Sequence, residues 1–156
     1  MNKLIIKKVT EKHLKDINKL SYSVFQLHNQ LLPNFFASRN TNDTMKQYHG
    51  LKDKDNAIFL VAIQEKLVVG YLLALILDKP WRKITPICSL DEIGVLDSFQ
   101  HQGIGKALFT ALKKECKKRN IHNITLNVYT KNTKAIKFYK KMGCHTISQR
   151  MDIEVD

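Results

Sequence analysis

The stretch LDEIGVLDSFQHQGIGKALFTAL, Leu90–Leu112, decides how this chain folds. Its start, Leu90–Val95, reads as a strand, and the polar turn Asp97–Gln102 follows. Gly103 and Gly105 then open a helix whose Ile104, Ala107, Leu108, Ala111, Leu112 and, just beyond, Cys116 recur at three- and four-residue spacing. Glycines in that place let the backbone approach a ligand closely, and the first helical turn leaves N–H groups without intrahelical partners. The helix dipole adds partial positive charge at the same end, so the layout predicts a phosphate or pyrophosphate cradle made mainly of backbone. A glycine pair also serves close packing of helix on strand, and this stretch alone leaves both readings open.

Working outward toward the amino terminus, residues 3–9 read as a strand and Thr10 as an N-cap. Leu14, Ile17, Leu20, Val24, Leu27 and Leu31 then form one apolar helical face that ends before Pro33. Asp43–Leu51 can form a short helix inside an otherwise loop-like segment, Pro33–Asn56. Ala57–Gln64 and Leu67–Leu77 predict a hairpin of buried strands turning at Glu65-Lys66, followed by a loop at Asp78–Pro86. On the carboxyl side, a strand is expected over Asn123–Tyr129 and a helix over Asn132–Lys141. Alternation around Ile147, Met151 and Ile153 predicts one or two final strands. With no repeat and no linker, residues 1–156 are expected to form one α/β domain on a mixed sheet.

Composition narrows the function classes. The chain has 156 residues, 44% hydrophobic and 26% charged, as a soluble globular protein does. Cys88, Cys116 and Cys144 are odd in number and far apart, which points to reduced thiols in a cytoplasmic protein and to neither disulfides nor a metal site. The amino-terminal apolar run is too short for a signal peptide, and no apolar run is long enough for a membrane helix. The net charge is +12, and between Lys106 and Lys141 eleven Lys or Arg residues face a single acid, Glu115. Such a face attracts a polyanionic ligand or nucleic acid, or serves only as a solvated surface.

The turn Gln100-His101-Gln102-Gly103-Ile104-Gly105 and the later run Asn132-Thr133-Lys134-Ala135-Ile136-Lys137-Phe138-Tyr139, with Gly143 after it, occur in that order. Together they resemble the GNAT family of acetyl-CoA-dependent N-acetyltransferases, whose pyrophosphate loop is [Q/R]-x-x-G-x-[G/A] and whose second signature is N-x-x-A-x-x-F-Y. The resemblance implies a mixed, mostly antiparallel central sheet flanked by helices. It also implies that the strands at Leu90–Val95 and Asn123–Tyr129 splay apart to admit the pantetheine arm of acetyl-CoA. Ile93, Gly94 and Val95 would pair with the pantetheine amides, and a backbone N–H near Val95 would polarise the thioester carbonyl. Gln100, His101, Gln102, Gly103, Ile104, Gly105 and Lys106 would hold the pyrophosphate. Asn132 would bind pantetheine or cap its own helix, and Tyr139 would point at the thioester sulfur as the acid for the leaving thiolate. The departures are Gln100 where arginine is commoner, His101 where glycine is frequent and where a larger side chain crowds the loop, and Cys144 in place of phenylalanine.

Acetylating an amine requires a neutral nucleophile, and an alkyl ammonium with a pKa of about 10 needs a base nearby. Asp91 and Glu92 lie beside the expected reaction centre. Alternation puts them on opposite faces, and Glu92 is favoured because Asp91 shares a face with Ile93 and Val95. Either carboxylate also suits a substrate cation without acting as base. The three thiols read as buried and inert, so acetyl transfer is expected to be direct, in a ternary complex. His28 and His101 show no metal-ligand spacing, and no metal is implied. Phe35, Phe36, Tyr48 and Trp81 either line an apolar mouth for a small-molecule or peptide amine or pack the core. A non-catalytic acyl-CoA-binding or RNA- or ribosome-associated module is the competing expectation. A homodimer is compatible with either function.

Overall fold

The computed structural model describes residues 3–155. Five strands form one sheet in the order β1 (Leu4–Lys8), β2 (Ala57–Gln64), β3 (Leu67–Leu77), β4 (Ile87–Val95) and β5 (Ile124–Leu126). The first three pairings are antiparallel and only β4 with β5 is parallel. Helix α3 (Ile104–Lys118) covers one face, where Leu72, Ala74, Cys88 and Leu90 meet Ile104, Leu108 and Leu112. Helices α1 (Leu14–Leu31) and α2 (Thr41–Leu51) cover the other, where Ile17, Leu20 and Tyr48 meet Phe59, Tyr71 and Leu73. The fold is thus the mixed, mostly antiparallel sheet between helices that the sequence predicts. A fourth helix, α4, spans Thr133–Lys141.

Local chemistry explains most boundaries. Thr10 caps a single 3₁₀ turn, Glu11–His13, that leads into α1. Asn40 caps α2 by accepting from the N–H groups of Asn42 at 2.9 Å and Asp43 at 3.3 Å. The hairpin turns at Glu65 and Lys66, both at positive φ, which matches the tight geometry that lets the right-handed twist of β2 and β3 continue.

Three expectations are corrected. Strand β4 starts at Ile87, before Leu90, because Ile87, Cys88 and Ser89 still pair with β3. Strand β5 stops at Leu126, short of Tyr129, because β4 and β5 pair only from Cys88–Ile124 to Leu90–Leu126. No strand forms among the described residues 144–155, although apolar and polar residues alternate there. Alternation marks a strand only when a neighbouring edge supplies partners, and here Ile147, Met151, Ile153 and Val155 are all exposed.

Candidate active site

Strand β4 is where the two halves of the site meet, and one extra residue sets its geometry. Leu73 pairs with Glu92 and Ala74 with Leu90, so Asp91 is inserted as a β-bulge. Before the bulge, Cys88 and Leu90 face α3; after it, Ile93 and Val95 do. Sequence alternation assigned Asp91 to that same face, and the bulge overturns the assignment: Asp91 is exposed and takes a hydrogen bond from the Ser89 hydroxyl at 2.9 Å. Glu92 and Gly94 turn the other way, toward α1 and α2.

The bulge shifts the backbone as well as the side chains. The Cys88 N–H donates toward β5, to Asn123 O, whereas the Leu96 N–H donates toward β3, to Val69 O. Alternation back from Leu96 therefore turns the N–H groups of Val95 and Ile93 to the β5 side. There β5 has already ended, since its last pairing is with Leu90. A slot opens between the strands, lined on one wall by two backbone donors from Ile93 and Val95.

At the foot of the slot lies the glycine turn. Gly103, at φ +82°, is the N-cap of α3, and no side chain caps the helix there. A Cβ on Gly103 would meet nothing within 4 Å, so the space beside its Cα is open. The N–H groups of Ile104, Gly105 and Lys106 stand outside the helix's own ladder, which begins with Ala107 N–H on Gly103 O at 2.9 Å. At Gly105 the packing reading holds instead, because a Cβ there would lie 3.3 Å from the ring of Phe138. Gln100 and Gln102 brace the turn: the first donates to Asp97 at 2.9 Å and Val95 O at 3.3 Å, the second to Ser98 O at 3.1 Å. His101 is exposed at φ +60°, so it holds the left-handed backbone a glycine would adopt without crowding the turn.

On the α1 and α2 side of β4, Glu92 is the focus of a hydrogen-bond chain. Its Oε2 accepts from the hydroxyls of Tyr48 at 2.6 Å and Tyr71 at 2.9 Å. Tyr48 lies 2.5 Å from the Ser21 hydroxyl, which accepts from Arg39 Nη2 at 2.6 Å. Arg39 also donates to Ser21 O at 2.9 Å and to Thr44 at 3.0 Å. Both tyrosines are fully buried. Burial first, and the charge of Glu92 second, push the Tyr48 phenol up to about 12 and the Tyr71 phenol well above its ordinary value, so both remain donors at neutral pH. Gly94 permits this arrangement, because a Cβ there would stand 2.7 Å from the Tyr71 ring and 3.0 Å from Val24. No sequence motif contains Ser21, Arg39, Tyr48 and Tyr71, which come from four separate elements or loops.

The acetyltransferase (GNAT) family model matches residues 22–144, which spans the slot, the glycine turn and α4. The chain belongs to the GNAT family. Among solved structures, a tetramutant of the BH1408 protein from Bacillus halodurans shares 20% identity over 97% of this chain and 99% of its own, with a TM-score of 0.88. The aminoglycoside N-acetyltransferase AAC(6')-Iy, solved with CoA, shares 17% identity over 99% of this chain and 96% of its own, with a TM-score of 0.79. A transcriptional regulator from Bacillus halodurans C-125 shares 16% identity over 98% of this chain and all of its own, with a TM-score of 0.77. At these identities the likeness is one of fold.

The second GNAT signature occupies α4 and its cap. Asn132 caps the helix, its side-chain oxygen accepting from the Ala135 N–H at 3.2 Å. Tyr139 packs against Phe138 and Phe109, with ring centroids 5.3 and 6.4 Å away. Burial, and then Cys144, raise its phenol to about 12. The four aromatics of the expected mouth separate. Tyr48 is a core residue bound to Glu92, and Trp81 is 80% exposed. Phe35 and Phe36 instead gather around Tyr129, at 5.7 and 5.5 Å, with His28 at 5.6 Å. This ring cluster joins the end of α1 to the segment after β5, and Arg39 links it to the Glu92 chain by lying 5.9 Å over Phe25, itself 6.1 Å from Phe36. Burial lowers the pKa of His28, consistent with a neutral ring among aromatics. Cys88 and Cys116 are buried and Cys144 is half-buried, all three free.

Proposed function

We propose that this GNAT protein transfers an acetyl group from acetyl-CoA directly to a primary amine, with Glu92 as the base and Tyr139 as the acid. The observation that carries the reading is the position of Glu92, beside the slot and on the opposite face of β4 from α3. The glycine turn fits a pyrophosphate, with free helical N–H groups and open space beside Gly103. The Ile93 and Val95 N–H groups suit the amides of an extended pantetheine arm, which would lie in the slot as an added strand. Acetyl-CoA supplies the activated acetyl group; the protein's part is to position it, to take a proton from the amine and to return one to the departing sulfur. Glu92 takes the first proton, directly or through water, and the Tyr139 hydroxyl, a donor up to a pH of about 12, gives the second. A Val95 N–H aimed into the slot stabilises charge that develops on the thioester oxygen.

The acceptor we infer is a singly charged amine with an apolar body, either a small molecule or a peptide amino terminus. The rings of Phe35, Phe36 and Tyr129 offer apolar surface, and residues 17–42, which run from α1 beyond its first turn through the following loop, contain no Asp or Glu. A polycation would therefore meet Glu92 without further carboxylates from that segment.

The test is acetylation followed by mass spectrometry over apolar monoamines, peptides with apolar amino termini, polyamines and aminoglycosides, with wild type and Glu92→Gln. We expect turnover of the first two classes, and a loss of about 100-fold or more in Glu92→Gln. Equal rates for wild type and Glu92→Gln refute the base; preferential acetylation of polycations refutes the acceptor class. A second reading, a polyanion-binding module, draws on a groove of about 560 Å³ between β1, β2 and α3 that Lys7, Lys8, Lys54, Lys114, Lys118 and Arg119 help to line. It predicts steeply salt-dependent RNA binding and a function indifferent to Glu92.

A further inference from the structure

We propose that Arg39, Ser21, Tyr48 and Tyr71 are positioning residues that hold the Glu92 carboxylate for proton transfer, with Arg39 acting on it through Ser21 and Tyr48. The proposal rests on Glu92 being the base. Counting protons fixes the direction of the chain. Arg39 has only donors, so Ser21 Oγ accepts at 2.6 Å. The carboxylate only accepts, so the single Tyr48 proton lies on the 2.6 Å bond to Glu92 Oε2. The 2.5 Å contact between Ser21 and Tyr48 is then a Ser21 donation to the phenol oxygen. Ser21 gives and receives once, and Tyr48 gives to Glu92 and receives from Ser21 and, at 3.5 Å, from Arg39 Nη2. The run Arg39 to Ser21 to Tyr48 to Glu92 has one consistent polarity, the arrangement in which successive bonds polarise and strengthen one another.

Two features separate this from ordinary core polarity. Both phenols converge on the same oxygen, Oε2, while Oε1 takes no hydrogen bond among the described residues and stays available to an amine or a water. Arg39 is also held by its other donors, to Ser21 O and Thr44, and makes no ion pair with Glu92 among the described residues. The charge therefore reaches the carboxylate only through hydroxyls, by way of Ser21 and Tyr48 and more weakly through Tyr48 alone, and the base keeps a free lone pair.

The experiment compares Tyr48→Phe, Arg39→Gln and Arg39→Lys, alone and combined with Glu92→Gln, on whichever amine the acceptor panel identifies. A positioning role predicts that Tyr48→Phe and Arg39→Gln lower kcat about 10- to 100-fold at unchanged KM for acetyl-CoA, with Arg39→Lys recovering part of the loss. In the Glu92→Gln background neither change should lower kcat further, because the residue they act through is gone. Losses that multiply in that background, or wild-type kcat in folded Tyr48→Phe and Arg39→Gln, overturn the proposal. Wild-type kcat in these two with an inactive Glu92→Gln would discard the chain and keep the base. An active Glu92→Gln would remove the base itself. If Tyr48→Phe does not fold, Ser21→Ala breaks the same series one step earlier and takes its place.

Discussion

The two sides of β4 solve their binding problems with different materials. On the α3 side, the donors offered to a ligand are backbone: Ile93 and Val95 in the slot, and the first N–H groups of a helix at its foot. On the α1 and α2 side, the proposed base is a side chain, Glu92, held by others brought from Ser21, Arg39, Tyr48 and Tyr71. Backbone recognition depends on chain path and tolerates exchange of most side chains around it. A side-chain chain fails wherever one hydroxyl is removed. Acetyl-CoA is common to many reactions and suits a fixed template, whereas the acceptor side is free to differ between relatives.

Substitutions can break or sharpen that contrast. The largest effect in this set is expected from Tyr139→Phe, the one side chain on the slot side given chemistry: kcat should fall about 100-fold while acetyl-CoA affinity stays the same. Because the wild-type phenol is raised to about 12, no loss of rate between pH 7 and pH 10 should come from its ionisation. An unchanged kcat in Tyr139→Phe would remove the acid. Gly94→Ala should come next. Its Cβ would lie 2.7 Å from the Tyr71 ring, so thermal unfolding should show a loss of about 1–3 kcal/mol. Transfer should drop about tenfold as Tyr71 and Glu92 shift. If transfer survives intact, the contact between Gly94 and Tyr71 does not govern the carboxylate. Asp91→Asn should have the smallest effect, with steady-state rates within about twofold of wild type, because Asp91 is exposed and an asparagine oxygen can still accept from the Ser89 hydroxyl. A large loss there would move the base from Glu92 to Asp91 and erase the contrast.

The slot side was legible in the sequence because its parts are consecutive. Gln100–Lys106 and Asn132–Tyr139 are motifs, and the helices after them show clear periodicity. The bulge was written there too, though faintly: Cys88, Leu90, Ile93 and Val95 are spaced by two, three and two, and the three breaks strand alternation. The acceptor side was illegible because it joins residues 21, 39, 48, 71 and 92, each ordinary among its neighbours. Tyr48 reads as one helix aromatic among several, and only the packing of α2 on β3 and β4 makes it a donor to Glu92. Strict alternation favours Glu92 over Asp91 for a reason the fold does not supply, since the bulge takes Asp91 off the face of Ile93 and Val95. The tail fails differently: its pattern is that of a strand, and the described structure offers no edge to pair with it.

The free edge of β4 has a thermodynamic side. From Glu92 to Val95 the strand has a neighbour on only one flank, so the sheet is incomplete until something extended lies in the slot. A ligand that binds there and not to the unfolded chain adds RT ln(1 + [L]/Kd) to stability, about 2.7 kcal/mol at a hundredfold excess over Kd. Against a total of about 5–15 kcal/mol for a typical domain, that is a large share. If the proposed co-substrate lies there, it serves also as a removable structural member, and the protein's resistance to unfolding rises with the concentration of that co-substrate.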